Sequence, residues 1–232
     1  LWAVADGMGG QAGGDVASRL VMDSLAELAP TLGGIASAPD LHEEERATDR
    51  LTTMAEQAHA SILTHAAQHP PLYGMGTTLV MAHLLPLPKP RLLVLNVGDS
   101  RAYLVRAGTL TQLTRDHTLI EEYVRDGRLT PAQAACHPNR HVLTRAMGLA
   151  PHLESDLFFF DLLDGDLLLL CSDGLTKMLT DERILQTVRP HRHIPSLATQ
   201  ALIHTALDAG GIDNVTVVAC TITEIPDQAN IH

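Results

Sequence analysis

No stretch of the 232-residue sequence stays apolar for the roughly 18 to 20 residues that a membrane-spanning helix needs, so that class is excluded. The longest apolar run, Leu167 to Cys171 behind Asp166, reads as a buried strand instead. Positive charge is also scarce: Lys and Arg number 16 against 27 for Asp and Glu, a formal charge of -11. No basic face of the kind that holds a nucleic-acid backbone can be assembled from it, which excludes DNA and RNA as partners. Cysteine is rarer still. Cys136, Cys171 and Cys220 are far apart and odd in number, which fits neither a disulfide framework nor a zinc knuckle. A reducing cytosol is the compartment expected. The sequence opens on Leu1 with no initiator Met, basic n-region or signal-type apolar segment, so a gene start further upstream is expected.

What is present fits a globular protein. Hydrophobic residues make up 45% and charged ones 19%, too apolar for an intrinsically disordered chain. A chain of this length buries about 70% of its unfolded surface, enough for one core, so a single domain over 1–225 with a short tail at 226–232 is expected.

Leu1 to Ala5 predicts a strand that runs into a tight loop of glycines, Gly7, Gly9, Gly10, Gly13 and Gly14. Apolar spacing then predicts a helix from Asp15 to Leu28 and, past a linker at 35–39, a second from about Leu41 to His69. Strands are predicted at Thr77 to Leu85, Arg91 to Val97 and Arg101 to Arg106, joined as antiparallel hairpins by a Pro-rich turn and by Gly98-Asp99-Ser100. Residues 116 to 146 carry little apolar content and read as an excursion from the core. Leu157 to Leu162 and Asp166 to Ser172 predict a further hairpin across Asp164-Gly165. Helices near Asp181 to Val188 and Ile194 to Ala209 and a last strand from Val215 to Ile222 follow. Strands joined by hairpins, with helices in pairs, predict an α+β fold of antiparallel sheets covered by helices.

Four aspartates fall at strand tips or in the turns beside them: Asp6, Asp99, Asp173 and Asp213. A rigid strand can aim a carboxylate at a shared rim, which is how hard cations are held. Several unpaired carboxylates at one place repel each other and need a metal to neutralise them, and all-oxygen donors favour Mg²⁺ or Mn²⁺ over Zn²⁺. A single strand-end aspartate is weak evidence, because Asp also makes Asx-turns and N-caps. The ordered company of the four is stronger: Asp-Gly-Met-Gly-Gly at 6 to 10, Gly-Asp-Ser-Arg at 98 to 101, Ser-Asp-Gly-Leu at 172 to 175 and Asp-Asn at 213 to 214.

These blocks, with Gly76-Thr77-Thr78, Thr114-Arg115-Asp116-His117-Thr118, His137-Pro138 and Leu143 to Gly148, resemble the bacterial branch of the metal-dependent serine/threonine protein phosphatases of type 2C. The resemblance implies an α-β-β-α sandwich of two antiparallel sheets flanked by helices, with a two-metal centre at one edge. It implies that Asp6 bridges two Mn²⁺ or Mg²⁺ ions, that Gly7 offers its backbone carbonyl, and that Asp173 and Asp213 complete one metal. Asp99, with Asp173, resembles the site of a third ion. Catalysis would rest on Asp6, Asp173 and Asp213, through a water shared by two cations about 3.5 to 4 Å apart. Residues 116 to 146 would form a flap. A phosphorylated protein would be the substrate, a Ser/Thr kinase the opposing partner, and the protein a cytoplasmic monomer. A phosphate-binding Arg and a second acidic residue would lie on a strand upstream of Leu1.

Two other readings stand beside it. Gly7 to Ala12 satisfies a dinucleotide fingerprint between a strand and a helix, although the acidic residue expected about 20 positions on falls, as Glu27, within the helix. A catalytically dead member acting as a binding module is the second, since the upstream Arg is not in view. His117 and His137 are candidates for proton delivery or simply flap structure, His191-Arg192-His193 reads as a solvated loop, and Arg101 and Arg145 are alternative partners for a phosphate.

Overall fold

A computed structural model describes residues 1–32, 42–85 and 90–223. The predicted linker at 35–39, the Pro-rich turn after Leu85, the predicted helix start at Leu41 and the tail beyond Pro226 lie outside the described residues.

Two four-stranded antiparallel sheets are stacked face to face. The first runs in the order β1 (Trp2–Val4), β4 (Leu79–Leu85), β5 (Arg91–Val97), β8 (Asp156–Asp161). The second runs β10 (Val217–Thr221), β9 (Leu167–Cys171), β6 (Arg101–Arg106), β7 (Thr109–Gln112). Separately, β2 (Gly7–Met8) and β3 (Gly76–Thr77) form a small two-stranded ribbon. Helices α1 (Gln11–Leu28) and α2 (Glu43–Gln68) cover the first sheet, and α6 (Asp181–Val188) and α7 (Pro195–Asp208) cover the second. The α-β-β-α sandwich is therefore present. No described helix is long and apolar enough to cross a membrane.

Strand periodicity explains the layers. Successive side chains of a strand point to opposite faces, so a strand covered on both sides is apolar throughout. In β9, Leu168 and Leu170 meet Val80, Val94 and Leu104 between the sheets, while Leu167, Leu169 and Cys171 meet Ile184, Ala198 and Leu202 under the helices. All five β9 residues are buried, and each leucine contributes about 1.5 to 3 kcal/mol. In β4 and β5, Leu79, Met81, Leu93 and Leu95 face the first helix pair instead, against Val21, Leu51 and Ile62.

The same demand corrects two predicted hairpins. β5 and β6 do not pair; Gly98-Asp99-Ser100 carries the chain from one sheet to the other. Residues 162 to 166 do likewise between β8 and β9. Each of these strands needs a neighbour in its own layer, and the short links cross the sandwich rather than reverse within a sheet. The actual hairpins are β4–β5 and β6–β7, the latter turning at Ala107 and Gly108 with φ of 48° and 79°, as a two-residue hairpin turn requires. Helix α1 also begins four residues before the predicted start, at Gln11 instead of Asp15. Gly13 and Gly14 lie inside it, because a side chain at Gly14 would come within 2.7 Å of the Gly7 carbonyl carbon. These glycines permit close packing of helix on strand rather than a turn.

Within residues 116–146 lie two short helices, α3 (Leu119–Arg125) and α4 (Pro131–Ala135), capped by Thr118 and Thr130. All sheet pairing is antiparallel, and β2 pairs with β3 in that sense, so the parallel strand a dinucleotide fold needs after α1 is absent among the described residues.

Candidate functional site

Asp6 sits directly after β1, where its backbone is clamped on both sides. Its N–H donates to Thr78 Oγ1 (3.1 Å), and its carbonyl accepts from Thr77 Oγ1 (2.8 Å) and from the Thr78 N–H (2.9 Å). Thr78 Oγ1 also pairs with Ser100 Oγ at 2.7 Å, which ties the Asp6 block to the loop that carries Asp99. The Gly76-Thr77-Thr78 block is thus the backbone support of Asp6. Gly7 lies against Gly14 so closely that a Cβ there would fall 2.1 Å from the Gly14 carbonyl oxygen.

Asp99 lies on the crossover between the sheets. The Gly98 N–H donates to His117 Nδ1 (3.1 Å), the His117 N–H returns a bond to the Gly98 carbonyl (2.9 Å), and Asn96 Nδ2 donates to the same carbonyl (3.2 Å). His117 is buried, and its other ring nitrogen lies 3.3 Å from Asp156 Oδ2. Because His117 Nδ1 accepts from the Gly98 N–H and Nε2 faces Asp156, the ring proton is assigned to Nε2. His117 therefore anchors the segment before α3 to the Asp99 loop. His137 is half-buried, and its Nδ1 accepts from the Asn139 N–H (3.1 Å).

Asp173 opens α5 (Asp173–Thr176), and the Ser172-Asp173-Gly174 turn is stitched to the Asp213-Asn214 loop. Ser172 N–H donates to the Thr216 carbonyl (3.1 Å), the Thr216 N–H to Ser172 Oγ (3.1 Å), and Ser172 Oγ to the Asn214 carbonyl (3.3 Å). Gly174 is required by contact: a Cβ would lie 2.1 Å from the Asn214 carbonyl oxygen. Lys177, one helical turn after Asp173, places Nζ 2.7 Å from Asp173 Oδ2 and 2.7 Å from Asp213 Oδ2.

The electrostatics are those of crowded carboxylates. Burial, followed by the charge of Asp173 and a hydrogen bond with it and then by Asp213 and Asp99, pushes Asp6 up to about 7. Asp99 is pushed up to about 7 by burial first and then by Asp173 and Asp116. Asp213 is held below its usual range, chiefly by the hydrogen bond from Lys177. Burial works against the charge on Lys177, but its bonds to Asp173 and Asp213 raise its pKa above the ordinary lysine value.

Asp173 Oδ1 is buried and has no hydrogen-bond partner among the described residues. An orphaned carboxylate oxygen beside two carboxyls poised near neutrality suits a hard divalent cation. No three His, Cys, Asp or Glu side chains among the described residues are closed around one point as a finished metal site. In this arrangement Lys177 supplies the counter-charge. Beside the cluster opens a cavity of about 680 Å³, whose lining includes Asp99, Asp173, Lys177, Arg101, Asp116 and the flap residue Arg140.

The four aspartates singled out in the sequence are therefore brought together, each coupled electrostatically to at least one other. The two arginines considered for a phosphate are each paired with a carboxylate. Arg101 makes a bidentate pair with Asp116 (2.9 and 2.7 Å) and donates to Tyr103 Oη (2.8 Å), and Arg145 binds Asp156 (2.8 Å). Of the predicted solvated loop His191-Arg192-His193, Arg192 and His193 are exposed, with Arg192 Nε donating to His193 Nε2 (2.8 Å), while His191 is half-buried at the end of a 3-10 turn, Arg189–His191. Sequence reasoning missed Lys177; its signal was the spacing of four residues from Asp173 across a predicted strand end that proved to be a helical turn.

Residues 1–208 match the family model for protein phosphatase 2C. The chain is 40% identical over 229 residues to the serine/threonine protein phosphatase PstP of Mycobacterium tuberculosis, covering 97% of this chain and 40% of PstP. It thus spans well under half of that relative's length. It is 36% identical over 215 residues to the serine/threonine phosphatase stp of Listeria welshimeri, covering 93% of this chain and 81% of the relative. Among solved structures, the catalytic domain of PstP in complex with two manganese ions superposes with a TM-score of 0.77 at 38% identity, over 96% of this chain and 87% of that one. The layered sandwich, the aspartates gathered on its rim and the match along most of the sequence lead to one assignment: the chain belongs to the protein phosphatase 2C family.

Proposed function

We propose that the protein is a metal-dependent serine/threonine protein phosphatase that hydrolyses phosphoserine and phosphothreonine in proteins. The observation that carries this reading is the convergence of Asp6, Asp99, Asp173 and Asp213, with Asp6 and Asp99 pushed up to about 7 by burial and mutual charge. Asp6, fixed through its backbone by Thr77 and Thr78, would bridge two cations, with the Gly7 carbonyl beside it. Asp173 and Asp213 would complete one of them, and Asp99 with Asp173 would hold a third. Bound Mn²⁺ or Mg²⁺ would supply a water activated near neutral pH and charge to offset that gathering on the phosphoryl group.

The chain's own residues set the conditions for that chemistry. Four segments that meet at the rim would hold the carboxylates: the β1 end, the sheet crossover, the α5 turn and the 213–214 loop. The Thr78–Ser100 and Ser172–Asn214 contacts keep these elements in register. The cavity under the flap leaves room for a phosphorylated side chain next to the cluster, with Arg140 on its wall. Cys171 has no task here; burial pushes its thiol up to about 12 and it lies under the helices.

Hydrolysis of a phosphothreonine peptide by chelator-stripped protein, with and without added MnCl₂, tests the reading. Turnover should appear with Mn²⁺ and stop with excess EDTA. Turnover that survives full chelation, or a saturated Mn²⁺ complex with none, would overturn it.

A further inference from the structure

Lys177 is placed as no bystander would be. Its ammonium stands 2.7 Å from one oxygen of Asp173 and 2.7 Å from one oxygen of Asp213, the two carboxylates proposed above to complete one metal. Both distances are at the short end for a charge-assisted bond. A Mg²⁺ ion lies about 2.0 to 2.1 Å from each coordinating oxygen, so a divalent cation held between Asp173 Oδ2 and Asp213 Oδ2 would take the place of the ammonium, whereas Asp173 Oδ1 has no hydrogen-bond partner among the described residues. The lysine is also free to leave. It follows the short α5 turn, its side chain is 21% exposed, and it lines the wide cavity under the flap.

We infer that Lys177 is a tethered competitor for the metal centre: it holds Asp173 and Asp213 together in the metal-free protein and must swing out before a cation can bind there. This rests on the metal-centre reading above. Lys177 would then have two opposite effects. In the metal-free fold its charge relieves the repulsion between two carboxylates that would otherwise face each other unpaired. Toward the cation it raises the concentration needed for occupancy, because binding must first break two short charged hydrogen bonds.

The test is a calorimetric titration of chelator-stripped protein with MnCl₂, together with thermal melting in EDTA, on wild type, Lys177→Met, Lys177→Gln and Lys177→Arg. Removing the charge in Met and Gln should tighten Mn²⁺ binding at least about tenfold, or about 1.4 kcal/mol, with stoichiometry unchanged. The same two variants should melt lower than wild type in EDTA, whereas Arg, which keeps the cation, should stay near wild type in both readouts. Gln, which retains hydrogen bonding, serves if Met fails to fold without metal. Equal or weaker Mn²⁺ binding in Met and Gln would overturn the competitor role even if wild type binds Mn²⁺ well. Wild type that binds no Mn²⁺ at all would instead overturn the metal-centre reading, and the competitor role with it.

Discussion

Replacing Asp6 by Asn should abolish catalysis and yet stabilise the metal-free protein. The carboxyl is pushed from 3.8 up to about 7, by burial before the charges of its neighbours. Between those values the folded protein keeps a proton that the unfolded chain has already lost, so the metal-free fold loses stability as pH climbs from about 4 to about 7. A difference of that size corresponds to about 4 kcal/mol as an upper bound. Asp6 is partly exposed, so a discounted gain of about 1 to 3 kcal/mol is expected for Asp6→Asn at pH 8. For a chain of this size that raises the melting temperature by roughly 3 to 10 °C. Melting in EDTA at pH 8, 6 and 4 measures it. The gain should shrink steadily as pH falls and be gone near pH 4. A destabilised Asp6→Asn protein, or a gain equal at all three pH values, would refute the argument that crowded charge is stored in this cluster.

Asp99→Asn should also raise metal-free stability above neutral pH, since burial and then Asp173 push that carboxyl up to about 7 as well. In Mn²⁺ titrations it should lose the weakest site while the tighter sites persist, with turnover reduced but not abolished. Gly174→Ala brings a Cβ to 2.1 Å from the Asn214 carbonyl oxygen and forces the Asp173 and Asp213 loops apart. It should cost about 1 to 3 kcal/mol in denaturant unfolding and weaken Mn²⁺ binding by more than tenfold.

Much of the fold was legible because its strands are apolar on both faces and its helices carry a 3.6-residue repeat, as in β9 and α2. What failed was the partner of each strand. Gly98-Asp99-Ser100 and Asp164-Gly165 look like hairpin turns, yet each carries the chain across the sandwich, and only tertiary pairing distinguishes a reversal from a crossing. β7 escaped notice because Thr109–Gln112 is short and half polar, as an edge strand is. Its turn uses Ala107 at φ 48°, a residue with no turn signature. At the site, the four aspartates were marked by their strand-end positions and glycine neighbours. Lys177 was not, since its role depends on Asp213, 36 residues away. The pairing of Arg101 with Asp116 was equally hidden, because it joins β6 to the start of the flap 15 residues on.

Anomalous diffraction at the manganese edge, from crystals of the protein soaked in MnCl₂, tests the central claim most directly. Two strong peaks should appear with Asp6 between them, one of them also within bonding distance of Asp173 and Asp213, and Lys177 Nζ should have left that pair. Manganese found only away from Asp6 and Asp173, with Lys177 still bridging the two carboxylates, would contradict the account.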